Sequence, residues 1–316
     1  MLGYILRRLG VAVIVVLFIT LITFGLLHLI APSPARDVLG LRATPAAVAS
    51  WNKIHGYDRP FFVQYGSYLW KLLHGNLGYS YINYQPVSSI LKEYAARSAL
   101  LTGVSLVLAI AIAIPLGVYQ AVKRNSIGDN VVTSVAFTTY SMPSFFLGLI
   151  LIEVFALKLN WLPSEGPQPQ QTISVLTYAK DMILPVVTLT MITVASYSRY
   201  MRSSALDNLA QDYIRLARAK GLSERVVLAR HLLRNACLPM VTLIGLSIPL
   251  LLAGNLVTEV VFNYQGLGYL FDQSLGRYDY PVLLAYTLIG GILTVIGNLI
   301  ADISLSVADP RIRLTG

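Results

Sequence analysis

The densest run of groups able to do chemistry is basic. Arg215, Arg218, Lys220, Arg225, Arg230, His231 and Arg234 lie between two apolar stretches, with Gly221, Ser223, Glu224 and Asn235 among them. A chain with no energy chemistry of its own must take force from a partner, and this run has the make-up of a handle. The spacings that catalysis needs are missing. A phosphate-cradling loop requires Gly-x-x-x-x-Gly-Lys-Ser/Thr, and the sequence contains no Gly-Lys pair. There is no His-Glu-x-x-His and no Gly-x-Ser-x-Gly, and His28, His55, His74 and His231 are scattered. The single Cys237 excludes an internal disulfide and has no companions for a metal site.

Acids inside apolar stretches are expensive and therefore informative. Glu153, Glu259 and Asp302 qualify, all near the ends of their stretches, where snorkelling to the interface accounts for them. A proton or sodium relay would want such groups near mid-membrane.

The elements that position these residues follow from composition. Of 316 residues, 55% are hydrophobic and 12% charged, which is too oily for a soluble fold of this length. Crossing about 30 Å of hydrocarbon takes roughly 20 apolar residues as helix. Six spans are expected, at 9–30, 99–122, 131–157, 183–198, 237–258 and 281–301, the fourth short and rich in threonine. All must be helical, since backbone amides in lipid need internal partners. The predicted class is an all-α polytopic membrane protein.

Basic residues are retained on the cytoplasmic side. With both termini inside, fourteen Lys and Arg fall inside and ten outside, most of the latter in one long loop. Without the short fourth span the cluster at 199–234 would face outward, so the span is kept. Inner-face retention explains the net charge of +9, and no basic patch is interleaved with stacking aromatics for nucleic acid. The Arg7-Arg8 pair begins an uncleaved anchor, because its apolar run exceeds a signal h-region and Pro34 spoils the cleavage site.

Three parts are expected: an N-terminal transmembrane helix, 1–30; an external loop region with short helices, 31–98; and a transmembrane domain, 99–316, carrying a cytoplasmic element at 204–235. Residues 61–73 have a helical pattern with Phe62, Tyr65, Leu69 and Leu72 on one face. That stripe fits either the chain's own membrane domain or an external partner. Within 204–235, a helix over 206–220 should stop at Gly221 in a left-handed turn, with Ser223 capping the next helix and Glu224 in its first turn. An amphipathic helix on lipid headgroups explains the basic ring but not the glycine break, so docking to a protein is favoured.

The run Asp212-Tyr213, Arg215, Ala217-Arg218-Ala219-Lys220-Gly221, then His231, Arg234-Asn235-Ala236 and Pro239, resembles the cytoplasmic signature of binding-protein-dependent ABC importer permeases of the dipeptide and oligopeptide branch. Further likeness lies in Arg7-Arg8-Leu9, Pro60-Phe61, Gln64-Tyr65, Gly75-Asn76-Leu77-Gly78, Ser80, Met142-Pro143-Ser144-Phe145, Val261-Phe262, Gly266-Leu267-Gly268, Asp279-Tyr280-Pro281-Val282 and Asp309-Pro310-Arg311-Ile312-Arg313. Two departures from the general importer signature, Arg215-Leu216-Ala217 for Glu-Ala-Ala and Leu233-Arg234 for Leu-Pro, are typical of that branch. Gln265 stands where many relatives have proline, which predicts a looser turn.

The resemblance implies a MetI-like permease fold of six transmembrane helices in the bacterial inner membrane. It implies a second, homologous permease, two cytoplasmic ATPase subunits holding ATP and Mg, an external peptide-binding protein, and peptide as cargo. It implies no cofactor or metal in this chain and no enzymatic activity of its own. ATPase coupling is expected from Arg215, Ala217, Arg218, Lys220, Gly221, Ser223, Glu224, Arg225, His231, Arg234 and Asn235. Hydroxyl, amide and aromatic groups suit a path for polar peptides: Tyr140, Ser141, Met142, Phe145, Ser196, Tyr197, Ser247 and Asn255, although ordinary helix packing explains them too. Pro249 and Gly254 could form a hinge, and Glu259, Phe262, Gly266 and Gly268 an outer gate. Nickel chelates, glutathione or haem are alternative cargoes, and an ion-coupled carrier is the rival class.

Overall fold

A computed structural model describes residues 2–31, 33–40, 42–168, 174–253 and 255–308. Fifteen α-helices appear among them, with no strand beyond one isolated bridge between Tyr79 and Pro86. In order they are α1 (Leu2–Ile30), α2 (Ala35–Leu39), α3 (Pro45–His55), α4 (Phe61–Leu73), α5 (Val87–Val122), α6 (Ile127–Ser141) and α7 (Ser144–Leu151). A π-helical turn, Ile152–Lys158, continues α7. Then come α8 (Val175–Leu209), α9 (Asp212–Ala219), α10 (Glu224–Val226), a second π-helical turn (Val227–Leu232), α11 (Leu233–Ala236), α12 (Leu238–Ala253), α13 (Leu256–Val261), α14 (Leu267–Gly276) and α15 (Tyr280–Ala308).

Four helices, in α1, α5, α8 and α15, have the length and apolarity to cross a membrane unbroken, and the number rises to as many as six if each of two bent pairs, Ile127–Ser141 with Ser144–Lys158 and Glu224–Ala236 with Leu238–Gly245, is one span. The third expected span is one of these pairs: α6 and the α7 arm meet at 108°. Pro143 is the cause, because its ring disfavours helical backbone in the preceding residue, and Met142 is extended at φ −80°, ψ 137°. The fourth span is far longer than apolarity alone predicts. α8 starts at the Ser174 cap, whose hydroxyl accepts the Thr177 N–H at 3.2 Å. Its polar side chains return to backbone carbonyls: Thr188 to Leu184 at 2.8 Å, and Thr190 to Ser105 of α5 at 3.3 Å. The fifth span is interrupted too, with α12 ending at Ala253 and Asn255 outside regular helix. Gly254, expected as a hinge, lies outside the described residues, as does the motif at 309–313.

α5 and α8 form the central packed pair. A Cβ on Gly117 would sit 2.6 Å from the Met201 Cβ and 2.7 Å from the Ser198 carbonyl, so the backbones touch there. α12 packs on α15 and α5, and α15 also packs on α1. The α4 stripe rests on this scaffold, with Phe61, Tyr65 and Tyr68 meeting Phe24 of α1 at ring separations of 5.3, 5.4 and 6.0 Å. Phe62, expected in that face, is 79% exposed; Phe24 meets the Phe61 side of the helix, not the Phe62 side.

Asp129, near the start of α6, is buried and receives both Arg202 Nε at 3.0 Å and a terminal Arg202 nitrogen at 2.8 Å. The Asn125 N–H adds a bond at 3.0 Å. This bidentate pair ties α6 to α8. Removing one partner strands the other charge, so Arg202→Ala should destabilise the protein by about 3 kcal/mol. A fall in the thermal unfolding midpoint of the purified complex in detergent is the expected measurement, and an unchanged midpoint would refute the role.

Candidate functional site

The basic handle is built differently from a simple two-helix hairpin. The expected helix over 206–220 is split: α8 ends at Leu209, and extended Gln211, at φ −77°, ψ 151°, starts α9. Tyr213 OH donates to Asn208 Oδ1 at 2.6 Å across the break. α9 closes as expected at Gly221, whose φ of 74° is left-handed. Its N–H bonds the Arg218 carbonyl at 2.9 Å, and Leu222 N–H reaches the Ala217 carbonyl at 3.4 Å. Ser223 takes the N-cap position, but its side chain makes no capping bond; its carbonyl instead accepts the Val226 and Val227 N–H groups. Glu224 turns back to Arg218, with contacts of 2.7 and 3.3 Å, and so bridges the two arms.

One side of this element is sealed into the bundle. Ile214, Ala217, Val227, Leu232 and Ala236 are buried with Ala113 and Ala121 of α5 and Met201 and Ala205 of α8. Ala217 therefore cannot meet a partner directly, contrary to its place among the coupling candidates. The opposite side is open. Arg215, Arg218, Lys220, Gly221, Ser223, Glu224, Arg225 and Arg234 are exposed, with Leu216, Leu222 and Val226 among them, and His231 and Asn235 are half-buried. Ile214 and Leu232 escaped the sequence reading; their i, i+3 relation to Ala217 and Asn235 was the available signal.

The pathway candidates do not converge. Tyr197 is buried, its hydroxyl 2.5 Å from Ser247 Oγ and 3.2 Å from the Leu243 carbonyl, so the pair joins α8 to α12. Asn255 donates to Thr102 Oγ1 of α5 at 2.8 Å. These three are helix-packing groups in this state, because each spends a side-chain hydrogen bond on a neighbouring element. Tyr140, Ser141 and Phe145 are exposed around the 108° elbow, with Met142 and Ser196 half-buried. The Arg199 guanidinium lies 5.0 Å from the Tyr140 ring centroid.

Three of the four gate candidates, Glu259, Gly266 and Gly268, are brought together around the Glu259 carboxylate, and Phe262 packs elsewhere. Glu259 does not snorkel: it is fully buried, since no interface water is needed where the protein supplies every partner. Its carboxylate accepts Ser98 Oγ at 2.6 Å, Gly268 N at 2.7 Å, Tyr269 N at 3.1 Å and Asn255 N at 3.2 Å. Ser98 Oγ also accepts the Leu267 N–H at 2.7 Å. Glycine is needed at both neighbouring positions: a Cβ on Gly266 would stand 2.5 Å from the carboxylate, and one on Gly268 would stand 2.4 Å from the Leu256 Cα. Phe262 is buried against Leu147, Leu151 and Leu184. The Gln265 turn is held rather than loose, with its amide on Gln168 Oε1 at 3.1 Å and its carbonyl facing Arg97 at 3.5 Å. Glu153 is exposed beside Lys158 at 3.4 Å, and nothing is described of the Asp302 side chain.

A third buried carboxylate fastens the loop before α5. Asp279 accepts Ser80 Oγ at 2.5 Å and Tyr81 N at 3.1 Å. Burial pushes its carboxyl above the ordinary aspartate range, opposed by those hydrogen bonds. Among the described residues no group of three or more His, Cys, Asp or Glu could hold a metal.

Gly268→Ala should destabilise the protein by about 1–3 kcal/mol, because the contact is with backbone that rotamer changes cannot move. Gly290→Ala, with nothing within 4 Å of its Cβ, should be neutral or slightly stabilising. Thermal unfolding of both variants decides whether the Glu259 turn is as tight as it looks.

Residues 1–102 match the family model for the N-terminal part of binding-protein-dependent transport system membrane components, and residues 113–314 match the model for the binding-protein-dependent transport system inner membrane component. The oligopeptide transport system permease protein AppB of Bacillus subtilis is 38% identical over 315 residues, covering 99% of this chain and 100% of AppB. The dipeptide transport system permease protein DppB of Escherichia coli is 38% identical over 339 aligned residues, covering 99% of each chain. The glutathione transport system permease protein GsiC of Salmonella typhi is 36% identical, again across 99% of each. A chain of the inward-facing MetNI methionine ABC transporter shares the fold, with TM-score 0.56 and 20% identity over 70% of this chain and 97% of that one. This multi-pass membrane protein belongs to the family of binding-protein-dependent transport system inner membrane components, the permease subunits of ATP-driven importers.

Proposed function

We propose that this chain is one of two paired permeases of an importer for dipeptides or oligopeptides, and that 212–235 is where an ATPase subunit grips it. The observation that carries this reading is the two-sided build of that element. Its exposed side presents cations and three apolar side chains around a left-handed glycine, while its buried side is locked to α5 and α8. A push on the open side is therefore delivered to the two central spans instead of being lost in a loose loop. Arg215, Arg218, Lys220, Arg225 and Arg234 would meet the motor, with His231 and Asn235 at the rim. The motor subunits would hold ATP and Mg, and the α9–α11 end would face the cytoplasm with both termini.

On this reading 31–98 is the external region that receives cargo from a binding protein, 1–30 is the first transmembrane helix, and 99–316 is the transport domain. Peptide is preferred as cargo because two of the three relatives above carry peptide transport in their names. The exposed elbow at Tyr140, Ser141 and Phe145 is the stretch best placed to face a path, and the Glu259 turn would close it on the outside.

The test uses Gly221. Nothing lies within 4 Å of its Cβ position, so any effect of substitution comes from backbone conformation. Gly221→Val forces a β-branched residue to positive φ, at a cost of about 1–2 kcal/mol, whereas asparagine tolerates that region. In proteoliposomes with the ATPase subunits and binding protein, Gly221→Val should cut peptide uptake and stimulated ATP hydrolysis at least fivefold, and Gly221→Asn should retain most of both. Equal activity of all three proteins would remove the coupling role. Peptide uptake by the purified chain alone would remove the importer reading altogether.

A further inference from the structure

A cleft of about 770 Å³ lies at the α2–α4 end, between α3, α4, the 76–84 loop and the start of α15. Its volume is within the roughly 300–1,000 Å³ of small-ligand sites. The path and coupling roles make no use of it. We propose that it is a second binding site, outside the membrane path, for a short peptide with an aromatic or apolar residue next to a free carboxylate. The proposal rests on the peptide reading above and adds a site to it.

The lining states the ligand's chemistry. Its walls are aromatic, with Trp51, Tyr57, Tyr68 and Tyr81 prominent. They are preset: Trp51 stands 5.5 Å from the Tyr57 ring and 5.3 Å from the Tyr81 ring, and the Tyr57 and Tyr81 hydroxyls are 3.0 Å apart. Asp279 holds the Tyr81 backbone from beneath, so the wall on that side is tied to the α15 start. Two cations, Arg59 and Lys71, enter the lining, no acid does, and neither cation is in an ion pair among the described residues. Uncompensated positive charge beside stacked rings selects an anion with a flat or apolar body.

An independent observation is the Tyr68 hydroxyl. It is buried and has no hydrogen-bond partner among the described residues, although Tyr68 lines the cleft. Buried hydroxyls are nearly always paired, so an unpaired one on a residue lining the cleft is the group that a ligand displacing its cover would pair. A peptide supplies such a partner from its backbone, which a simple hydrocarbon anion does not.

The test is binding to the permease complex in detergent, with its ATPase subunits and without its binding protein, followed by calorimetry. The probes are phenylalanyl-phenylalanine, its C-terminal amide and oleate. Saturable binding of the free acid is expected, at least tenfold weaker for the amide. Arg59→Gln with Lys71→Gln should weaken the free acid at least tenfold. Tyr68→Phe should weaken it several-fold with an unchanged unfolding midpoint, since the hydroxyl has no protein partner to lose. Absent binding, equal binding of acid and amide, or full affinity in both variants would overturn the site, and displacement by oleate at equal concentration would make it a lipid pocket. If proteoliposomes import peptide and the cleft stays silent, this inference alone fails; if they import none, the peptide reading fails with it.

Discussion

Where α5 crosses α8, the backbone of Gly117 touches Met201 and Ser198 so closely that any side chain would collide. Membrane helices gain little from apolar attraction to each other, since lipid is as oily as they are, so contact of this kind has to come from close fit and shared hydrogen bonds. Both are present: Ser105 Oγ donates to the Val186 carbonyl of α8, and Thr190 Oγ1 of α8 donates to the Ser105 carbonyl. Much of the bundle is referred to this contact. The handle packs beneath it, α12 and α15 pack beside it, and the elbow between α6 and α7 folds around α8.

Three buried carboxylates pin the periphery, two of them to that pair. Asp129 anchors α6 to α8, Glu259 draws the turn before α14 onto α5, and Asp279 holds the 80–81 loop to the start of α15. Each is fully supplied with donors from a different element, which is what makes a buried charge tolerable. Such pins are directional, so helices joined by them move as units, a requirement for any transporter that shifts between two arrangements. The π-helical turns at 152–158 and 227–232 fall where the chain leaves regular packing, one after the elbow and one inside the handle. Irregular helix of this type is common at functional positions.

The proposed coupling requires stiffness between the place that is pushed and the place that opens. The handle meets that demand through its buried side, and the exposed elbow supplies a surface that is not consumed by packing. Tyr197, Ser247 and Asn255 serve the stiffness, because their polar groups are already bonded to neighbouring helices.

The class, the helical architecture and the glycine turn at 221 were readable in the sequence because they rest on local rules: apolar length, the retention of positive charge, and the tolerance of glycine for positive φ. The α4 boundaries were readable for the same reason. Depth was not. Glu259 sits at the end of an apolar run whether it snorkels or is caged, and only Ser98, 161 residues away in sequence, with the Gly268 and Tyr269 amides, decides for the cage. Likewise Asp129 was an unremarked acid until Arg202 met it, and α8 was too polar to look like a long helix until its threonines found carbonyls. Periodicity reports which side of an element is oily, but what covers that side, and which polar groups are satisfied there, depends on residues far apart in sequence that meet only when the bundle closes.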